Sequence, residues 1–294
     1  MRKFTPVLAL LLFLTSGCGK FASGNKEAVF FEIRKGDSIQ GISRNLQEQG
    51  IIRDAAGFRL YAKLTFRDSK LKFGLYQIEP STDYSSLLNM FREGKIYTAR
   101  ITIPEGNNIY QVADILAENN MVNKNEFIAL CTNQIFISTL GIPAKKTIEG
   151  YLFPDTYQFP PNLPAARIIQ TMVNNFKKNM EGDIARDIKS RGLKIGEVIT
   201  MASIIEKEAR VQPERALISG VYYQRLRIRM MMQSCPTVIY SLILEGKYNG
   251  KLYTRDLNYP SEYNTYIHYG LPPSPIANPG LSSIIAAIRP EKTD

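Results

Sequence analysis

Apolar and polar positions alternate at the start of 29-VFFEIRKGDSIQGISRNLQEQGII-52, then change to helical spacing at Ile39, Ile42, Leu46 and Ile51 or Ile52. A period of two giving way to 3.6 across a Gly-Asp turn predicts a strand feeding a short amphipathic helix. The segment 73-FGLYQIEPSTDYSSLLNMFREGK-95 repeats that order, with a Pro-Ser-Thr-Asp turn able to cap a helix and Leu87, Leu88 and Phe91 on one face. A third instance opens at 100-RITIPEGNNIYQVADILAENNMV-122, where Ile109, Val112, Ile115 and Leu116 form the stripe. Helical spacing resumes from about Ala165 to Lys189 and from Lys194 to Ala209. Pro213, which suits a first helical position, opens a further run to Arg227.

Two stretches resist regular structure. In 147-TIEGYLFPDTYQFPPNLP-164 aromatics, prolines and acids crowd together, which predicts an ordered loop. Its aromatic faces either stack on sugar rings or plug the loop into the core. After 233-QSCPTVIYSLI-243 comes a second loop rich in Pro and Tyr, 258-NYPSEYNTYIHYGLPPSPIANPG-280, ending before a short helical run. The expected fold class is α+β: a small α+β subdomain over residues 29–98, followed by a larger mixed α+β domain over 99–294. The strand-and-helix pairs of the first part have the shape of a LysM-type carbohydrate module, and equally that of many small α+β units.

The N-terminus adds an address. Arg2 and Lys3 precede the apolar run Val7 to Leu14, which fits the core of a signal peptide and falls well short of the roughly 20 residues that span a bilayer. Next comes 14-LTSGC-18, similar to a bacterial lipobox although Leu14 lies one position early. Residues 1–18 are therefore expected to be a signal segment with Cys18 lipidated, and 19–28 a polar tether. The alternative is an ordinary cleaved signal with Cys18 a bystander. With Cys18 so used, Cys131 and Cys235 remain, which allows one disulfide and excludes a disulfide scaffold.

Composition narrows the chemistry. The 294 residues are 44% hydrophobic, enough for a packed core, and 37 Lys and Arg against 27 Asp and Glu give a formal +10. That excess suits work beside an anionic partner: nucleic acid, a phospholipid surface or a cell-wall polymer. Zinc-type Cys pairs, a Walker loop and RNA-binding signatures are missing, so nucleic acid is not expected. A single histidine, His268, argues against a His-ligated metal or a Ser-His-Asp triad. Neither metal nor organic cofactor is expected.

One carboxylate stands out. On a wheel of about 100° per residue with Val198 at zero, Ala202 falls near 40° and Ile195 near 60°, and Glu206 follows at about 80°, inside the apolar sector. Lys207 points the opposite way and Glu208 lies on the flank. A carboxylate buried there must find a cation, such as Arg210 or Arg215, or keep its proton. A protonated carboxyl in a partly apolar cleft is what general acid catalysis near neutral pH requires, and the same group can serve as base afterwards. The two loops supply Glu149, Asp155, Tyr157, Tyr263, Asn264 and Tyr266, the aromatic and polar side chains with which proteins grip sugars.

Taken in order, 148-IEGYLFPDTYQF-159, 202-ASIIEKEA-209, 236-PTVIY-240, 246-GKYNGKLYTRDL-257 and 263-YNTYIHYGLPPSPIANPG-280 resemble the endolytic murein transglycosylase family, known as MltG or YceG-like, over most of the chain from about Phe30. The resemblance implies an enzyme of the cell envelope, held at the membrane through its N-terminus and facing the periplasm or extracytoplasmic space. Such an enzyme cuts the β-1,4 bond between N-acetylmuramic acid and N-acetylglucosamine within peptidoglycan strands and leaves 1,6-anhydromuramyl ends. It implies Glu206 as the catalytic residue, with a LysM-like subdomain and cell-wall synthases as partners. A glycosidase normally needs two carboxylates. A transglycosylase can use one, because the sugar's own 6-hydroxyl is the nucleophile. Glu149, Asp155, Tyr157, Gln233, Tyr263, Asn264 and Tyr266 are the candidates for substrate binding.

Against the family pattern, Cys235 stands where Asp is common and Ser274 where Gly is frequent. The chain ends at Asp294, short of the family's usual end, so a missing C-terminal segment is expected. Two other readings fit the same residues. One is a peptidoglycan-binding lipoprotein without catalysis. The other is a hydrolase pairing Glu206 with Asp155 or Glu208.

Overall fold

The computed structural model describes residues 27–293, so the signal segment, the Cys18 lipidation and all but the end of the tether lie outside the described residues. The fold is mixed α+β. It divides into two compact units between Ala99 and Arg100.

The first unit runs β1 (Val29–Ile33), α1 (Ile39–Glu48), α2 (Ala55–Leu64), β2 (Gly74–Ile78) and α3 (Tyr84–Glu93). β1 and β2 pair antiparallel, Val29 opposite Ile78 and Ile33 opposite Gly74. Alternation sends Phe31 and Ile33 inward, where they meet Ile42, Leu46, Phe58, Tyr76, Leu87 and Phe91 in one core. Each helix starts where a short polar side chain satisfies free N–H groups. Ser38 accepts from Gly41, Asp54 from Ala56 and Gly57, and Asp83 from Ser86. Helix α2 is not among the elements expected above. Its cue is Asp54 ahead of 55-AAGF-58, a cap without a long apolar stripe behind it.

The second unit contains β3 (Ala99–Ile103), α4 (Ile109–Glu118), α5 (Lys124–Thr132), α6 (Gln134–Thr139), β4 (Asp155–Phe159), α7 (Ala165–Asn179), α8 (Asp183–Ser190), α9 (Ile195–Glu208), α10 (Glu214–Arg227), α11 (Cys235–Leu244) and α12 (Leu281–Ile288), with one 3-10 turn at Thr254–Asn258. Two expectations need correction. The stretch 147–164 is not wholly irregular: β4 lies inside it and pairs with β3 in a two-stranded sheet. Tyr157 and Phe159 alternate inward there and stack with ring centroids 5.3 Å apart. The run from Ala165 to Lys189 is two helices, because Gly182 takes φ 67°, a left-handed conformation that ends one helical path and starts another.

At the centre lies α9, packed on α10, α11 and α12. Every residue from Val198 to Ile205 is buried, so this helix has no solvent face along its middle. The one-sided stripe drawn from the sequence is therefore too narrow, and Ile195, placed in it, is 38% exposed at the helix start. The two hydroxyls inside the buried stretch are satisfied locally. Thr200 donates to the Gly196 carbonyl at 2.8 Å, and Ser203 donates to the Thr200 carbonyl at 2.7 Å while accepting from the Ile276 N–H at 3.0 Å. The last bond fastens the Pro-rich loop over α9.

Gly150 marks how tightly the loops close on that helix. Its φ is +88°, and a Cβ there would meet Pro275 Cβ at 2.5 Å and Ile199 Cγ2 at 2.9 Å. Replacing it with Ala adds backbone strain to a clash with rigid neighbours. Gly150→Ala is expected to lose at least about 2 kcal/mol, read in thermal denaturation as a Tm roughly 5 °C or more lower.

Candidate active site

Glu206 follows directly on the buried stretch of α9, and its side chain is 6% exposed. Both carboxylate oxygens are occupied by donors. Arg215, in the first turn of α10, donates from Nη2 to Oε1 at 3.2 Å, and the Gly280 N–H donates to Oε2 at 2.9 Å. Of the alternatives the sequence left open, the structure holds a cation pair, and the cation is Arg215. The guanidinium is fixed in turn by Ser283 Oγ at 3.0 Å and Gln212 Oε1 at 2.8 Å.

Glu105 completes a carboxylate pair. It belongs to the turn between β3 and α4, and its carboxylate lies so close against Gly280 that a Cβ on that residue would collide with it. Partial burial holds the Glu105 carboxyl above its ordinary range, the negative Glu206 adds to that, and Arg215 opposes it. The turn is pinned from two sides: Gly106 donates to the Asn278 carbonyl at 2.9 Å, and Lys207 Nζ donates to the Gly106 carbonyl at 3.1 Å.

Behind this pair, Glu149 is fully buried. Its Oε2 accepts from the Ile109 N–H and from the Tyr240 hydroxyl, each at 3.1 Å, and its Oε1 accepts from Asn278 Nδ2 at 3.1 Å. Asn278 extends the network by accepting from Gly150 N at 3.0 Å and Leu152 N at 2.9 Å and by donating to the Asn107 carbonyl at 2.8 Å. Three loops, around residues 105–109, 147–152 and 276–280, are thereby tied into one rigid frame.

The other candidates separate into two groups. Tyr263 is 5% exposed, packs edge-on against Tyr240 with centroids 5.2 Å apart, and shares a hydrogen bond with Ser274. Asn264 is wholly buried and spends its amide on the carbonyls of Leu257 and Tyr259. With Glu149, these side chains are nearly or wholly buried and brace the loops as struts. Tyr157 does the same, donating to the Phe153 carbonyl while Asn175 of α7 donates to both Tyr157 and Asp155. Neither Asp155 nor Tyr157 is hydrogen-bonded to the Glu206 cluster. Gln233 and Tyr266 keep exposed surface. Gln233 has φ +54°, an uncommon left-handed setting for a side chain of this kind, and Tyr266 lies 3.0 Å from Cys235 Sγ. Glu208 accepts from Tyr222 and Ser234 on the far flank of α9. Cys131 and Cys235 are both free thiols.

Glu105, Asn278 and Gly280 carried no individual weight in the sequence reading. The cues were the acid-glycine turn in 104-PEGN-107 and the small-residue run 277-ANPG-280, which acquire meaning only where the two loops meet. A cavity of about 560 Å³, lined by Tyr151, Lys194, Glu197, Thr200 and Pro272, opens near the start of α9. Since Glu197 and Glu206 are separated by roughly 13 Å of helix, that cavity is not the setting of Glu206. Among the described residues, no three of His, Cys, Asp or Glu gather into a metal-holding group, and no helix is long and apolar enough to cross a membrane.

The sequence pattern of the YceG-like family matches residues 31–294. The chain belongs to that family. It is 32% identical to an endolytic murein transglycosylase of Bacillus subtilis, over 92% of this chain and 78% of that protein. It is 30% identical to a protein of the same name from Streptococcus pneumoniae, again over 92% of this chain, and spans about half of that relative's length, 54%. The crystal structure of a YceG-like protein from Listeria monocytogenes superposes with a TM-score of 0.62 at 34% identity, covering 92% of both chains.

In this YceG-like frame the buried Glu149 gives a pH-dependent contribution to stability. Burial raises its carboxyl from the ordinary 4.5 to about 8, against the opposing pull of the Ile109 and Tyr240 donors. The unfolded chain loses this proton near 4.5 and the folded chain near 8. The native state therefore binds more protons between those values, and stability falls as pH rises through that window. Thermal melts of the wild type from pH 5 to 8 are expected to show most of this decline, worth on the order of 5 kcal/mol in full, and Glu149→Gln to flatten it.

Proposed function

We propose that the chain is a lytic transglycosylase that cuts the β-1,4 bond between N-acetylmuramic acid and N-acetylglucosamine within peptidoglycan strands, with Glu206 as its acid–base carboxylate. The observation that carries this reading is the place of Glu206. It stands at the edge of a rigid helical core, its oxygens aimed by a fixed cation and a backbone N–H. The names of the Bacillus and Streptococcus relatives support the substrate class. In the reaction, the bond from muramyl C1 to the leaving oxygen breaks as that oxygen gains a proton, and the sugar's 6-hydroxyl closes on C1 and gives up its own. The product is a 1,6-anhydromuramyl end and a free hydroxyl on the next sugar, so no water is consumed.

The first unit is proposed to hold glycan as a LysM-like module. Its order of strand, two helices and an antiparallel partner strand supports that role. The formal +10 suits an anionic envelope polymer. Membrane attachment through the N-terminus and contact with cell-wall synthases belong to the same proposal.

The full chain, incubated with purified sacculi or nascent glycan, is expected to release anhydromuramyl products detectable by mass spectrometry. Glu206→Gln is expected to lower their yield by about 1,000-fold or more. If neither protein cleaves and both sediment with sacculi, the chain is a peptidoglycan-binding protein without catalysis. Cleavage that survives the substitution would remove Glu206 from the mechanism.

A further inference from the structure

A single carboxylate that both gives and takes the proton is one way to run the proposed reaction, but Glu206 has a second carboxylate beside it. Gly280 joins the two. Its N–H donates to Glu206 Oε2 at 2.9 Å, and the Glu105 carboxylate lies against the same residue, where only a hydrogen in place of a Cβ leaves room. The Glu105 turn is held by Asn278 and Lys207, so this proximity belongs to the frame of the site.

The two environments differ in the way that separates an acid from a base. Glu206 faces Arg215 and a backbone N–H, donors that solvate a carboxylate, and its side chain is nearly buried. Glu105 keeps exposed surface, its carboxyl is only partly buried, and no donor among the described residues bonds it. It also lies within the field of the negative Glu206. Like charges held together favour protonation of one of the pair, and Glu105, with no donor bonded to it, is the one whose carboxyl is raised, by partial burial and by Glu206, against the pull of Arg215.

We propose that Glu105 is the general acid of this site and Glu206 its base. The inference rests on the transglycosylase reading above and changes only which group supplies the proton. Glu105 gives its proton to the leaving oxygen as the C1–O bond breaks. The 6-hydroxyl oxygen then bonds to C1, and its proton passes to Glu206. Each turnover leaves Glu105 ionised and Glu206 protonated, and return of one proton from Glu206 to Glu105 resets the pair with none gained or lost.

The test compares the wild type, Glu105→Gln and Glu206→Gln on two substrates. One is natural glycan; the other is a muramyl disaccharide bearing a nitrophenyl leaving group, which departs without protonation. Glu105→Gln is expected to lose about 100- to 1,000-fold on glycan and to recover most of that on the nitrophenyl substrate, whereas Glu206→Gln stays impaired on both. Because Glu105 is exposed, its Gln variant is expected to melt with the wild type. The pH profile on glycan gives a parallel decision. The groups facing Glu105 are Glu206 and Arg215, with Lys207 on the neighbouring Gly106 carbonyl. Wild-type cleavage is expected to fall on the alkaline side as Glu105 loses its proton, and the residual rate of Glu105→Gln to lack that fall. An unchanged glycan rate, an equal loss on both substrates or an unchanged pH profile would overturn the inference while leaving Glu206 in place. Absence of anhydromuramyl ends from the wild type would instead remove the underlying reading.

Discussion

The second unit depends on α9 being buried on every side from Val198 to Ile205. A helix in that position cannot tolerate a free polar atom, and its two hydroxyls comply by bonding within the helix and to the Pro-rich loop. It also cannot shift, because packed neighbours on all faces leave no direction in which to move. The first carboxylate beyond such an element inherits its rigidity. Glu206 is thus fixed in space by the core below it, and Arg215 and Gly280 need only orient the last two torsions. The pair is worth more as geometry than as stability. Withdrawing the cation from a nearly buried carboxylate would cost on the order of 3–5 kcal/mol, while forming the pair repays little beyond its desolvation.

The loops above the core solve a different problem. Backbone that follows neither helix nor strand carries donors and acceptors that need partners. Here Asn278 serves four backbone groups: its side chain accepts from the Gly150 and Leu152 N–H groups and donates to the Asn107 carbonyl, which its own N–H also reaches, and its carbonyl accepts from Gly106. Glu149 then locks the hub to the start of α4. Burying a carboxyl for this purpose is unfavourable by several kcal/mol unless donors surround it, and three do. The arrangement explains how a segment rich in proline and glycine can hold Gly280 and the Glu105 turn in register.

Much of the fold was legible because it is local. A period change across a turn, with a polar cap at the junction, located β1 with α1, β2 with α3 and β3 with α4. What escaped was set by distant contacts. Strand β4 forms inside a proline-rich stretch because β3 offers it an edge, and α5 and α6 have weak or short stripes. The wheel brought attention to Glu206 by assuming a one-sided helix, yet α9 is buried all round, so the residue's position follows from where burial stops and less from its angle. Tyr263 and Asn264 have the composition of a sugar platform, and their burial as struts depends on a Tyr240 contact and backbone carbonyls that no spacing encodes. Glu105 could not be weighed at all from sequence. It is separated from Glu206 by about half of the unit's length and meets it where the backbones of Gly106 and Gly280 come together.

That meeting also accounts for a feature of composition. The residues that bring Glu105 and Glu206 together are Gly106 and Gly280, and each has a carboxylate side chain against its backbone. Gly106 has φ +76°, and a Cβ there would touch Glu206 Cγ at 3.5 Å; at Gly280 the obstruction would be Glu105 itself. Glycine at these two points lets one backbone N–H reach Glu206 while the second carboxylate packs where the Cβ of the same residue would stand. Larger side chains would force the loops apart, and the two acids would then be screened from each other by water. Their electrostatic coupling is therefore a consequence of backbone proximity, and the loop frame built on Glu149 and Asn278 is what maintains it.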